Sequence, residues 1–577
     1  MNLHRDGIAW KWAALCGVAA LFAASALAQS VKWTVPDDAG PPTLTYMGLV
    51  PGLDGSERVR EVLGEPEFES RWYNWKMYYP AEGRPGLYDI VHLRSGDPES
   101  HLANVERASI PEGYESEAAI RARLGEPEYE LRMMTWRLLD YSEQGIRFTV
   151  NADGETTGVA QFGHGYRRVP EGERNLMDLT HLRTGPQPAP EASADLKGLR
   201  VGVAERDISP LDDDWLYHRF EVIEPLKARI AVFSTDDLTL AIVGADTFGL
   251  RKPVNDAVRA AAKELGIDEL ILGSSHTHSS GDTLGAYGLN PTQFHEHIIA
   301  QIVDGLKEAL GNLQPVAELR SANRELPMDG ARVIDLIRNA RNPGLMDPTI
   351  AVMQAIGEDG NAIMTLVHFA CHPESISTGQ RTITPDFPGV LCDRLAENGH
   401  GQPIFLNGAL GGMVSGDNRE RTLESIHETG ERFAEIVEDL LTETVQPASF
   451  DFYARTRQFE IPVTNPAWVE RMGDEHERQI AGEIRRQRFV TDMTYFRIGE
   501  AQFITLPGEL FPEISFEILE KMDGYPRILV GLGNDMLAYL VPAYDWRYDE
   551  YEESASPGPS AGLQVRDTAL RLLADTP

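Results

Sequence analysis

Cysteine is scarce in this chain: three in 577 residues. One of them, Cys16, lies inside an N-terminal apolar run, which leaves Cys371 and Cys392. Two cysteines are too few for a disulfide framework. Cys371 falls in an apolar strand-like run and Cys392 in a helical pattern, which predicts two buried free thiols and no thiol nucleophile. Basic residues are also under-represented, 53 Lys and Arg against 89 Asp and Glu, for a net charge of −36. That balance excludes nucleic acid and anionic membrane surfaces as the main partner. No stretch after Ala28 is long and apolar enough to span a bilayer. The remaining composition, 42% apolar and 25% charged, is that of a soluble globular protein, and the length divides into two to four units.

The N-terminus has a distinct pattern. Arg5 and Lys11 precede an apolar run over Trp12–Leu27 that closes on Ala26-Leu27-Ala28. This is the order of a secretory signal peptide, with cleavage expected after Ala28. The rival, a retained anchor, would need a longer run. Leu15 stands before Cys16 where a lipoprotein signal wants a small residue. The expectation for residues 1–28 is therefore a cleaved signal and an exported protein, periplasmic or secreted.

Residues 40–186 contain a repeat. Val59-Arg-Glu-Val-Leu-Gly-Glu-Pro-Glu67 returns as Ile120-Arg-Ala-Arg-Leu-Gly-Glu-Pro-Glu128, and Asp89-Ile-Val-His-Leu-Arg-Ser-Gly96 returns as Asp178-Leu-Thr-His-Leu-Arg-Thr-Gly185. Self-similarity of this kind indicates one supersecondary unit used twice, the later copy carrying an insertion. Each copy reads as a short helix stopped by Gly-x-Pro, then aromatic-rich strands, Trp72–Tyr79 in the first and Thr135–Tyr141 and Ile146–Val150 in the second. His92 and His181 sit inside the second echo and read as structural residues. Leu-Gly-x-Pro after a short helix, followed by Trp/Tyr strands, resembles the module of SmpA/OmlA-type outer-membrane lipoproteins. That resemblance implies a docking role, here peripheral association with the cell envelope; the alternative is a packing extension of the main domain. Residues 187–196, rich in Pro and Ala, read as a linker.

From residue 197 to 577 apolar strands alternate with helical patterns. Arg200–Ala204, Ala228–Ser234, Thr239–Ala245 and Glu269–Gly273 are interleaved with Lys252–Leu265 and Gln293–Leu310. Strands at Thr349–Gly357, Ala362–Cys371, Pro403–Leu406, Phe489–Ile498, Gln502–Leu506 and Ile528–Leu532, and a helix at Glu509–Lys521, continue the series. The predicted fold class is an α/β main domain with mixed β-sheet layers flanked by helices, preceded by a small α+β tandem-repeat region.

Within this domain, Leu270–Gly281 runs an apolar strand into His276-Thr-His278 among Ser and Gly residues. Two imidazoles at a strand end, with small neighbours, suit a metal site, although a hydrogen-bonded pair has the same signature. Other strand ends carry His372 before a proline, Glu509 where a strand breaks, and Tyr539, with Tyr551 in the loop beyond. Each has an ordinary structural reading when taken alone.

Taken in order, Leu199–Pro210, Gly273-Ser-Ser-His-Thr-His-Ser-Ser280, His368-Phe-Ala-Cys-His-Pro-Glu-Ser375, Leu506-Pro-Gly-Glu509 and Gly533-Asn-Asp-x-x-x-Tyr539 resemble the catalytic domain of the neutral/alkaline, non-lysosomal ceramidases. The resemblance spans residues 199 to 577 and lacks the C-terminal β-sandwich that full-length members carry. It implies a zinc ion held by His276, His372, Glu509 and Tyr539, with His278 as the neighbouring acid/base group. It also implies an active-site arginine at Arg324 and a second tyrosine at Tyr551. Ser415 matches a family loop position in Asn407–Asn418, which implies a reactive or oxyanion-binding serine, but Met413 replaces the Asp before it and the glycines are rearranged, so a glycine-rich turn that lets backbone approach the substrate is the alternative. The implied activity is hydrolysis of the amide of ceramide or a similar acylated lipid by metal-activated water, with His278 protonating the leaving group and Arg324 or Tyr551 stabilising the oxyanion. The alternatives are a zinc amidase or esterase acting on a non-sphingolipid, and a non-catalytic envelope binding protein.

Overall fold

The computed structural model describes residues 45–70, 75–94, 101–163, 166, 176–211, 220–284, 292–329, 332–333, 337–376, 381–412, 414–416, 421–466, 488–547 and 550–576. The expected signal peptide lies outside the described residues.

The two repeats build one nine-stranded sheet. Its strands are β1 (Phe68–Ser70), β2 (Trp75–Pro80), β3 (Tyr88–Leu93), β4 (Leu102–Arg107), β5 (Tyr129–Arg132), β6 (Trp136–Tyr141), β7 (Ile146–Asn151), β8 (Thr156–Gln161) and β9 (Leu176–Asp178). The spatial order β1-β2-β3-β4-β8-β7-β6-β5-β9 sets two antiparallel meanders edge to edge through β4 and β8. The repeated sequence places the same contacts in each half. Helix Ser56–Leu63 ends at Gly64 and helix Glu117–Leu124 at Gly125, both with positive φ. Tyr79 and Tyr141 donate to the carbonyls of Gly64 and Gly125 at 3.2 and 2.9 Å. Arg60 pairs with Glu65 and Glu69, and Arg121 with Glu126 and Glu130.

The second sequence echo has no such equivalence. Asp89–Leu93 forms most of β3 with His92 buried, whereas the Asp178 copy follows β9 into a turn that leaves His181 exposed. The third strand of the second meander is β7 instead.

The main domain stacks helices, sheet, sheet and helices. The larger sheet has eight strands in the order Glu269–Ser274, Thr239–Ala245, Lys227–Ser234, Arg200–Asp207, Gln314–Glu325, Thr349–Gly357, Ala362–Phe369 and Gln402–Asn407. Parallel pairs occur at its two ends and antiparallel pairs between them. Alternate residues of each strand face opposite layers. Ala241 and Val243 meet helices Lys252–Glu264 and Thr292–Gly311, while Leu240 and Ile242 face the second sheet. Helices Asp386–Glu397 and Leu423–Leu441 pack on Val367 and Phe369. The second sheet, Asp451–Pro462, Arg488–Gly499, Ala501–Leu506 and Arg527–Gly531, closes the other face through Phe496, Ile498, Phe503 and Val530. Its far side packs on helices Pro512–Leu519 and Ala561–Ala574, and Tyr129, Leu131, Trp136 and Leu138 of the N-terminal sheet share that core.

One predicted helix begins later than its sequence pattern. Glu509–Leu510 is a two-residue strand paired in parallel with Tyr539–Leu540, and the helix starts at Pro512. Proline suits the first helical turn because its missing N–H needs no partner there. Residues 187–196 run along the main domain, where Ala194 donates to the Pro447 carbonyl at 2.9 Å. Cys371 and Cys392 are buried and free. Among the described residues, no helix is long and apolar enough to cross a membrane.

Candidate metal centre

Strand Glu269–Ser274 stops at the cluster because the chain turns sharply after it. His276 adopts φ +70, a left-handed conformation uncommon for a side chain larger than Gly and found where surrounding contacts impose it. Its backbone N–H donates to Thr247 and its Nδ1–H to the Phe248 carbonyl, at 2.9 and 2.6 Å. His372 follows strand Ala362–Phe369, and both its backbone N–H and its Nδ1–H donate to the Val414 carbonyl, at 2.8 and 3.0 Å. Each ring is thereby held by one nitrogen and presents Nε2 to the same space, which is how metal-ligating imidazoles are oriented.

Glu509 completes the arrangement. Its carboxylate oxygen lies 3.1 Å from His372 Nε2 and 3.6 Å from His276 Nε2. His278 Nε2 stands 3.3 Å from His276 Nε2, and the three histidines offer potential donor atoms that all lie within 4.8 Å of one another. Phe248 stacks on His276 and meets His278 edge-on, walling the imidazoles on the apolar side. Tyr539 is the lateral neighbour of Glu509 in the short parallel pair and is buried. Tyr551, 41% exposed, has its ring 5.7 Å from that of Tyr539.

The electrostatics follow from burial and proximity. For His278, burial and then the neighbouring His276 and His372 rings push the imidazole down to about 3, so it is neutral at ordinary pH. Burial alone would raise the Glu509 carboxyl, but His276 and His372 hold it far below the usual range. Burial disfavours imidazolium at His372, and Glu509 more than reverses this, raising it. A buried cluster of imidazole nitrogens with a carboxylate oxygen, with His276 and His372 each oriented through the second ring nitrogen, fits a divalent ion with N/O preference such as zinc.

The structure brings together His276, His278, His372 and Glu509; Tyr539 is the backbone-paired neighbour of Glu509, and the Tyr551 ring adjoins that of Tyr539. Arg324 is not among them. It lies on strand Gln314–Glu325 with its guanidinium bound to Asp439, at 2.8 Å, and to Glu443 beside helix Leu423–Leu441. Strand alternation accounts for this: Asn323 and Glu325 turn into the interior and Arg324 faces the helix. Arg324 is therefore a helix-to-sheet tie and not an active-site arginine. The backbone of Ser415 pairs with Arg338, while its side chain and Met413 lie outside the described residues.

The supports behind the imidazoles leave little trace in the sequence. Val414 and Phe248 act through backbone carbonyls, which leave no residue-type signal. Arg341, buried and bonded to Asp545, Glu552 and Glu553, holds the segment bearing Tyr551. The adjacent carboxylates after Tyr551 were the available clue, since such pairs are buried only with a cation.

The α/β fold and the clustered donors give a buried His/Glu centre at strand ends that could hold a metal ion. Comparison with solved structures makes the likeness specific: the fold is that of the neutral ceramidases. The crystal structure of neutral ceramidase from Pseudomonas aeruginosa matches with a TM-score of 0.53 and 17% identity, over 66% of this chain and 76% of that one. A structure described as ceramidase complexed with C2 matches with a TM-score of 0.52 and 16% identity, over 65% and 75%. No protein-family model and no curated protein sequence matches.

Proposed function

We propose that this chain is an exported, zinc-dependent hydrolase that cleaves the amide of ceramide or a similarly acylated lipid. The observation that carries the reading is the convergence of His276, His278 and His372 with Glu509 on a ceramidase fold. His276, His372, Glu509 and Tyr539 would hold the ion. Bound there, zinc supplies a water of lowered pKa and polarises the scissile carbonyl. His278, neutral in its buried setting, takes a proton at Nε2 from the attacking water and returns it to the leaving nitrogen. Tyr551 donates to the developing oxyanion.

The 3.3 Å approach of His278 to His276 also suits His278 as a third nitrogen ligand. Substitution separates the two roles. His276→Ala is expected to abolish both metal binding and turnover. His278→Ala is expected to retain the metal and lose most of the rate; loss of metal would make it a ligand, and full activity would remove it from the chemistry. The primary test is metal content of the mature protein together with fatty-acid release from a short fluorescent ceramide. About one zinc per chain, with chelator-sensitive turnover, supports the proposal. Zinc without turnover moves the substrate to a non-sphingolipid amide or ester. No zinc after reconstitution overturns the hydrolase reading and leaves the envelope binding protein.

A further inference from the structure

The N-terminal sheet reaches the metal centre from behind. Glu106 on β4 is buried, and its carboxylate lies 3.3 Å from Arg338 Nη1, 3.4 Å from Arg332 Nε and 3.4 Å from His92 Nε2. Arg338 Nη2 donates to the Tyr78 hydroxyl of β2 at 2.9 Å. Two further bonds reach the same part of the main domain: Asn104 Nδ2 to the Ala340 carbonyl at 3.5 Å and Arg147 Nη1 to the Pro343 carbonyl at 3.2 Å. The side chain of Arg338 is thus enclosed by the N-terminal sheet while its backbone belongs to strand Ile337–Asn339 of the main domain.

That strand leads directly to a candidate ligand. Ile337–Asn339 pairs with Val414–Gly416, Arg338 opposite Ser415 and Asn339 opposite Val414. The Val414 carbonyl accepts both hydrogen bonds that orient His372. The path from Glu106 to the imidazole therefore has three steps: an ion pair, a strand pairing and a carbonyl acceptor.

We infer that the N-terminal sheet is a positioning part of the metal centre and acts through Glu106, which anchors Arg338 and so fixes the Val414 carbonyl that aims His372. The inference rests on the metal-site reading of the proposed function. Its chemistry is that of an outer support: the acceptor behind a ligating imidazole sets ring orientation and basicity, and losing such support typically weakens metal binding by about ten- to a hundredfold. Glu106 is a positioning residue and touches no substrate.

The test uses the full mature chain and zinc affinity measured by competition with a chromogenic chelator, with circular dichroism showing that each variant is folded. Glu106→Gln retains shape and removes the charge that pairs both guanidiniums, and is expected to weaken zinc binding about tenfold. Tyr78→Phe removes only the hydroxyl on Arg338 and is expected to act in the same direction by a few-fold, which keeps the test decisive if Glu106→Gln fails to fold. Val59→Ala is the control, since it opens the core of the first repeat without touching Arg338, and is expected to leave zinc affinity unchanged. In the metal-free protein, hydrogen exchange over 337–345 and 414–416 should rise in Glu106→Gln and not in Val59→Ala. Wild-type affinity in both positioning variants, or equal loss in Val59→Ala, overturns the inference. Absence of zinc binding in the wild type is a different result and overturns the metal-site reading itself.

Discussion

Replacing Asn534 by Ala tests how strand Glu269–Ser274 is held at the candidate metal centre. The strand lies at the edge of the eight-stranded sheet, and its outer side is met by the Gly533–Asn534 segment, through an isolated bridge of Gly273 with Gly533 and the bonds of Asn534. Asn534 Oδ1 accepts from Leu272 N–H at 3.0 Å, its own N–H donates to the Leu272 carbonyl at 2.9 Å, and Nδ2 donates to Thr494 Oγ1 at 3.0 Å. The residue is buried with φ +64, a conformation that Asn tolerates better than Ala. Ala leaves the buried Leu272 N–H without that partner, at about 1–3 kcal/mol, and adds about 1 kcal/mol of left-handed strain. Thr494 keeps the Thr456 hydroxyl at 2.9 Å and so contributes little. The expected loss is about 3 kcal/mol for Asn534→Ala and about 1 kcal/mol less for Asn534→Gly. Guanidinium denaturation at matched slopes gives the stabilities, and chelator competition reads whether His276, four residues beyond Leu272, has moved. If the Ala and Gly variants are equal in stability, or Ala costs under about 1 kcal/mol, the account of this edge is refuted.

Burial and close approach supply two more predictions. Burial first, then Arg338, holds the His92 imidazole down to about 4 from 6.5 against an opposing pull from Glu106, so the folded protein keeps it neutral while the unfolded chain takes a proton. Stability from this group is present above pH 6.5 and lost as pH falls toward 4, by about 3 kcal/mol relative to His92→Gln, and coincident pH–stability curves for the two proteins would refute it. At Gly531 a Cβ would sit 2.0 Å from the Gly408 carbonyl oxygen, whereas at Gly64, φ +80, it would meet nothing within 4 Å. Gly531→Ala should cost about 3 kcal/mol or more and Gly64→Ala about 1 kcal/mol, and equal melting temperatures would contradict the backbone clash.

Strand–helix alternation made the layered α/β fold legible in the sequence, because burial on both faces of a sheet leaves continuous apolar runs that no other packing requires. The repeat was legible from Leu-Gly-Glu-Pro, and the matched Arg–Glu and Tyr–Gly contacts explain why those residues recur. His276, His278, His372 and Glu509 were legible as strand-end residues arranged in a recognisable order. Arg324 lies away from the cluster because one residue of strand phase decides between a buried and a helix-facing guanidinium, and sequence spacing does not carry that phase across a long strand. His181 shared a local sequence with His92 but not its neighbours, since β9 joins β5 in parallel rather than forming a third meander strand.

Local chemistry is written in the order of residues: which residue types stand at strand ends, where Gly and Pro stop helices, and a charge balance unsuited to polyanions. Tertiary structure alone decided the partnerships. Val414 and Phe248 orient imidazoles through carbonyls that every residue possesses, and Glu106 meets Arg338 across 232 positions of chain. Side-chain identity is written locally, whereas the field around a buried imidazole or carboxylate is set by whatever folding brings within a few ångströms of it.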